Sequence, residues 1–311
     1  MSAYTPAVSF NFSVAKVAAI LLVVSGHYFS DSLLWIPVTM GLFLFAYASG
    51  RFTSSRYAGN LSLKTFWWRK LVRLGVPFIL VQIFLLLLFV AQGRDGILSW
   101  HTLVHWTGAS GFLNWFGVAD QSPFGAGMWF FTLLLIFYLT FPFLSGLAKN
   151  RRTALVVTVG GALAAIVLTH EVQVGHVLWI TMFGFWLGVY ADEWPLPGSA
   201  FFWILVLLGA VAALLVSNLW GGFRALNMEF IFLAAVGLVQ TLERITLPRR
   251  VFAPLLVLSP ALLEIYLLHP YLLVRSDAVP VRWGYAASMV LTVTVALVLS
   301  RMSLALTARR G

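Results

Sequence analysis

The residues best placed to do chemistry are an amine and an imidazole within one apolar run, Lys16 and His27 of KVAAILLVVSGH. A lysine at a bilayer centre costs about 2.5 to 3.5 kcal/mol on insertion scales, so ionisable residues inside spans usually face a protein interior or a wet cavity. At about 100° per residue, a separation of eleven returns to within about 20° of the starting direction, with a rise of about 16 Å. The two side chains therefore share one helix face, which sets a cation near one membrane surface and a titratable imidazole about half a bilayer away. Taken singly, Lys16 also reads as snorkelling to the headgroups, and His27 as resting in the membrane interface.

A second group lies in TFWWRKLVRLGVP, residues 65–77, where Arg69, Lys70 and Arg73 fall within about one helical turn. They read either as stop-transfer charges or as a cationic cluster that binds phosphates, by point charge from lysine and by bidentate hydrogen bonds from arginine. LLEIYLLHPYLL, residues 262–273, places Glu264 near mid-membrane and His269 toward the far end. Five positions, or about 500°, keep those two on different faces, but His269 shares a depth with His27. Asp31, one turn after His27, either orients its imidazole or is a solvated loop residue. Glu229 pairs with Arg224 or lines a cavity. With no cysteine in the chain, disulfides, thiolate nucleophiles and cysteine metal sites are excluded. No HExxH pair, nucleophile elbow, phosphate-binding glycine loop or dinucleotide fingerprint occurs. The expectation is no metal and no tightly bound cofactor.

These residues must be held by membrane helices. The 311 residues are 61% hydrophobic and only 10% charged, beyond the apolar share of about 45–50% in an ordinary globular domain. Spans of about 20 apolar residues are expected at about 8–29, 33–49, 74–92, 128–147, 153–169, 176–191, 201–219, 225–242, 252–273 and 283–304. The fold class is an all-α polytopic membrane protein of about ten transmembrane helices. A single membrane-embedded domain, 1–311, is expected, with no appended soluble domain and no cleaved signal peptide. On the expected topology Arg94, Arg224, Arg275 and Arg282 lie outside and Lys16 lies within the first span. The remaining basic residues, Lys149, Arg309 and Arg310 among them, lie inside. The positive-inside rule then puts both termini in the cytoplasm. The net charge of +10 reads as loop charge held at an anionic leaflet rather than as a nucleic-acid footprint. The long loop at about 93–127, rich in Trp, Phe and Gly, suits aromatic packing at the outer interface or a partly re-entrant cover.

Taken in order, these segments resemble the acyltransferase-3 family of integral membrane acyltransferases, mostly O-acetyltransferases of bacterial surface sugars. Lys16, ten residues, then His27 is similar to the family's first-span pattern. GLFLFAYASGRF is similar to its Phe-rich turn through Phe43, Phe45, Ser49 and Gly50. Lys70-x-x-Arg73 before Pro77 resembles its Arg-x-x-Arg element, with lysine in the first place and Arg69 adjacent. MWFFTLLLIFYLTFPFL looks like its Trp-Phe span, from Trp129. LEIYLLHP, with Tyr266 and His269, resembles a late segment in a variant form with Glu264. The resemblance implies His27 as the catalytic imidazole; Asp31, Glu264 and His269 are read, from their own positions, as candidate support for it. It implies Lys16, Arg69, Lys70 and Arg73 as contacts to a cytoplasmic acyl-CoA donor, usually acetyl-CoA, and a carbohydrate or glycolipid acceptor. The cytoplasmic (inner) membrane is the expected location. Histidine suits removal of a hydroxyl proton at neutral pH, as general base or through an acyl-imidazole. Intramembrane Lys, His and Glu also fit a proton-coupled transporter, although no inverted repeat or paired broken helices are found.

Overall fold

The computed structural model describes residues 5–57, 62–147, 150–172 and 177–308. Both chain ends, with Arg309 and Arg310, and also Lys149, lie outside the described residues. Within them every regular element is a helix. The order is α1 (Pro6–Tyr28), α2 (Trp35–Tyr57), α3 (Leu63–Ala91), α4 (Trp100–Trp106), α5 (Ser110–Trp115), α6 (Trp129–Leu147) and α7 (Arg151–Glu171). After these come α8 (Leu178–Tyr190), α9 (Ala200–Trp220), α10 (Asn227–Leu242), α11 (Arg249–Phe252), α12 (Leu262–Leu268) and α13 (Val281–Ala308).

Eight of the described helices or helical runs are long and apolar enough to cross a membrane, among them Arg224–Leu242 and Arg249–Tyr271. The chain is an all-α, multi-pass membrane protein. The other two of the ten expected segments are α2 and α8. The first carries Thr, Ser and two arginines in its second half. The second has only 13 residues, about 20 Å of helix. They pack together backbone to backbone: a Cβ on Gly188 would lie 2.2 Å from the Tyr47 carbonyl oxygen, and one on Gly50 would lie 2.3 Å from that of Phe185. Gly184 and Gly188 form a small-xxx-small pair, the device by which membrane helices approach closely where lipid supplies no hydrophobic drive.

Several boundaries differ from expectation, and two of them bear on the site. α3 begins eleven positions before the apolar run, because Lys and Arg are good helix formers and continue the helix through the basic stretch. The expected ninth span is divided into α11, a 3-10 stretch at Ala253–Ala261, α12 and a 3-10 turn at His269–Tyr271. Pro254, Pro260 and Pro270 each lack the N–H that a continuous ladder needs.

The described residues form two compact units. The first holds α1 to Leu22, α2, the end of α6 from Leu139, and α7 to α11, around a core that includes Phe12, Phe43, Tyr47, Leu214 and Val239. Two of its polar groups anchor several elements at once. Asn11 donates to the carbonyls of Leu242 at 2.9 Å and Ile245 at 2.8 Å and accepts from the Leu247 N–H at 3.2 Å. Arg51 lies 2.5 Å from Asp192 and 3.1 Å from Glu243, which also accepts from the Tyr47 hydroxyl at 3.1 Å. Among the described residues Glu229 is paired not with Arg224 but with His170, at 2.6 Å.

The second unit holds the end of α1 from Val23, α3 to α5, α6 up to Tyr138, α12 and α13. α3 buries one stripe, Phe66, Lys70, Pro77, Val81, Leu85 and Phe89, at the three- and four-residue spacing of a core-facing helix.

Candidate functional site

α1 is unbroken from Pro6 to Tyr28, so the spacing that puts Lys16 and His27 on one face holds along it. Lys16 is half-buried in the first unit, its ammonium 5.6 Å from the Phe52 ring centre. His27, on the last turn of α1, is exposed and belongs to the second unit.

There it meets His269. The two imidazole centres are 4.6 Å apart, edge to face. His269 is fully buried, and its Nδ1 lies 2.6 Å from the Tyr266 carbonyl oxygen. A carbonyl only accepts, so Nδ1 carries the proton and Nε2 presents a lone pair. That Nε2 is buried with no partner among the described residues. Such a group is normally satisfied, and here it sits beside the exposed imidazole of His27.

The end of the broken span is fixed by Tyr266. Its hydroxyl donates to the Gly127 carbonyl and accepts from the Phe130 N–H at 3.2 Å, which joins α12 to the start of α6. Gly127 adopts φ +69°, and a Cβ there would lie 2.8 Å from Pro270 Cγ and 3.7 Å from His269 Cε1. Only glycine has both the conformation and the room. Trp129, the first residue of α6, is half-buried and 5.8 Å from the Phe130 ring. Glu264 is buried in α12, on the same short element as Tyr266.

Arg275, which the sequence reading counts only as an outer-loop charge, holds the other half of the pair. The Arg275 guanidinium donates to the carbonyls of His27 and Tyr28, at 2.9 Å for the latter, and lies 5.4 Å over the Tyr28 ring. These are orphan carbonyls at the C-terminal end of α1, where a cation is favoured. Tyr28 donates in turn to the Val281 carbonyl at 3.1 Å, and Ser25 meets Tyr285 at 2.8 Å. The only sequence signal is a lone cation five residues after a His-Pro turn.

The basic group is not one cluster. Lys70 lies on the buried stripe of α3, its ammonium 3.8 Å from the centre of the Tyr138 ring and 5.5 Å from that of Phe66. Arg69 and Arg73, four apart on another face, are exposed. A single helical step of about 100° is enough to divide them. Asp31 is exposed in the turn after α1 and makes no hydrogen bond or ion pair among the described residues. Ser49 is half-buried beside Gly50, whose place in the α2 and α8 contact is structural.

The arrangement can shuttle a proton. One exposed imidazole meets an acceptor whose other nitrogen is tied to the backbone. The chain matches no curated protein and no solved structure. The family model described as an acyltransferase domain matches residues 10–301, which include every candidate site residue named above. The chain therefore belongs to the acyltransferase-3 family and is a membrane-embedded acyltransferase.

Proposed function

We propose that the protein transfers an acetyl group from cytoplasmic acetyl-CoA to a hydroxyl of a carbohydrate or glycolipid acceptor at or across the inner membrane. The observation that carries this is the His27 and His269 pair, with the Nε2 lone pair of His269 unpartnered. His27 is the catalytic imidazole. It takes the acceptor's hydroxyl proton as the oxygen attacks the thioester carbonyl, and the proton is returned to the departing CoA thiolate. The acceptor's O–H and the C–S bond break, and an ester C–O bond and an S–H bond form. His269, the buried neighbour, offers its unpartnered Nε2 to the N–H of His27 as that ring takes the proton, and so orients its basic nitrogen toward the acceptor. Family membership favours acyl transfer over proton-coupled transport.

Donor phosphates fit Arg69 and Arg73 on the exposed face of α3. Lys70 supplies the inward-facing cation of the same helix. CoA is a substrate here and not a resident cofactor.

The test is acetyl-CoA binding and thiol release by the purified protein, compared with His27→Ala and a Lys70→Ala/Arg73→Ala double variant. The reading expects thiol release to be lost with binding kept in the histidine variant, and binding to be lost in the basic variant. A folded wild type that neither binds acetyl-CoA nor releases thiol would exclude this donor.

A further inference from the structure

We propose that residues 96–119, the α4 and α5 region between two spans, are embedded in the bilayer, with the acyl chains of the leaflet at the C-terminal end of α3 covering their outward face. From 96 to 119 there is no Asp, Glu, Lys or Arg, although Asp95 and Asp120 bound the segment on either side. A water-facing connection of that length normally carries charge. The polarity of the segment is also reversed. Leu98, Leu103 and Phe116 are 100%, 71% and 77% exposed, and Trp100 and Phe112 are exposed as well, whereas His101, Thr102, His105 and Ser110 are buried.

The inward polar groups largely satisfy one another, as backbone and side chains at membrane depth must. His105 lies 2.9 Å from Asp120 through Nε2 and 2.9 Å from Ser110 through Nδ1. Thr102 meets Ser122 at 2.7 Å. Thr132 donates to the Gly108 carbonyl at 2.7 Å and accepts from the Gly111 N–H at 2.8 Å. His101 is the exception, its ring set against Trp100.

The neighbouring span points to the occupant. The exposed face continues from Leu87 and Val90, the outward flank of α3, which is itself a membrane span in the same unit. Trp100, Trp106 and Trp115 punctuate it, in keeping with the enrichment of tryptophan at membrane interfaces.

The absence of cysteine allows the test without background labelling. Nitroxide is attached to Leu98→Cys, Leu103→Cys and Phe116→Cys in vesicles of phosphatidylethanolamine and phosphatidylglycerol, with Leu87→Cys as lipid control and Gln121→Cys as water control. Power saturation with oxygen and with a nickel chelate reports the environment. The three test sites are expected to favour oxygen over nickel, as Leu87→Cys does, and bimane at the same sites is expected to be quenched by lipids brominated on their acyl chains. Nickel access equal to that of Gln121→Cys would show an aqueous loop and overturn the proposal. So would spin–spin broadening that vanishes on dilution with unlabelled protein, which would show a second copy on that face.

Discussion

Two polar clusters, one in each unit, differ in how far their polar groups are answered. Around Arg51 every charge is answered: the guanidinium, 6% exposed, has carboxylates on two sides, and one of these also holds Tyr47. The His27 and His269 pair has no carboxylate among the described residues, and one ring nitrogen has no partner at all. Matched charge of the first kind fastens helices together. An unspent lone pair beside an exposed imidazole is a reactive arrangement, and burial by itself does not distinguish the two.

The largest expected effect falls on the reactive cluster. His27→Ala is expected to lower acetyl-CoA-dependent turnover by about 10² to 10⁴-fold, the usual contribution of a general acid–base group, with the melting temperature unchanged because the side chain is exposed. The mirror image is Arg51→Met, which leaves Asp192 and Glu243 facing each other without a cation. Breaking a buried pair from one side costs about 3 to 5 kcal/mol, so the melting temperature in detergent is expected to fall sharply while turnover per folded molecule is kept. An Arg51→Met protein that melts normally but is inactive would reverse the division.

Two smaller changes sharpen it. His269→Ala removes the acceptor beside His27, and a hydrogen bond to a group that becomes charged is worth about 1.5 to 3 kcal/mol. A fall of about 10 to 100-fold in turnover is expected, with the affinity for acetyl-CoA unchanged by titration calorimetry. Gly127→Ala forces a Cβ against Pro270 at a left-handed backbone angle, at a cost of about 1 to 3 kcal/mol. Since Gly127 also borders His269, stability and turnover are expected to fall together.

The readable part of this site is the part that periodicity governs. Eleven residues of unbroken helix bring Lys16 and His27 to one face whatever surrounds them, and the apolar lengths locate the spans. The position of Lys70 follows the same rule, since it lies four residues after Phe66 on the buried stripe, yet residue type alone groups it with the arginines on either side. The division of the ninth span is signalled by its three prolines but hidden by an otherwise continuous apolar run. The contact between His27 and His269 is suggested by equal depth, and only packing decides it. The pairing of α2 with α8 depends on carbonyls lying against Gly50 and Gly188, and no property of either helix alone states it.

Arg275 offers the smallest and most discriminating test. Its guanidinium is exposed and binds only carbonyl oxygens and a ring, so its loss leaves no buried charge behind. Favourable cation interactions at a helix C-terminus are worth about 0.3 to 1 kcal/mol, and Arg275→Met is expected to destabilise by no more than that. The Tyr28 and Ser25 hydrogen bonds continue to hold α1. The last turn of α1 is nevertheless the turn that aims His27 at His269, and a general base tolerates little misplacement. Turnover is expected to fall several-fold, with acetyl-CoA affinity unchanged. Arg275→Lys, which keeps a cation at the same helix end but loses the forked contact to two carbonyls, is expected to restore stability fully and turnover only in part. Equal recovery of both by lysine would mean that charge at the helix end is sufficient, and that the fork does not position the imidazole.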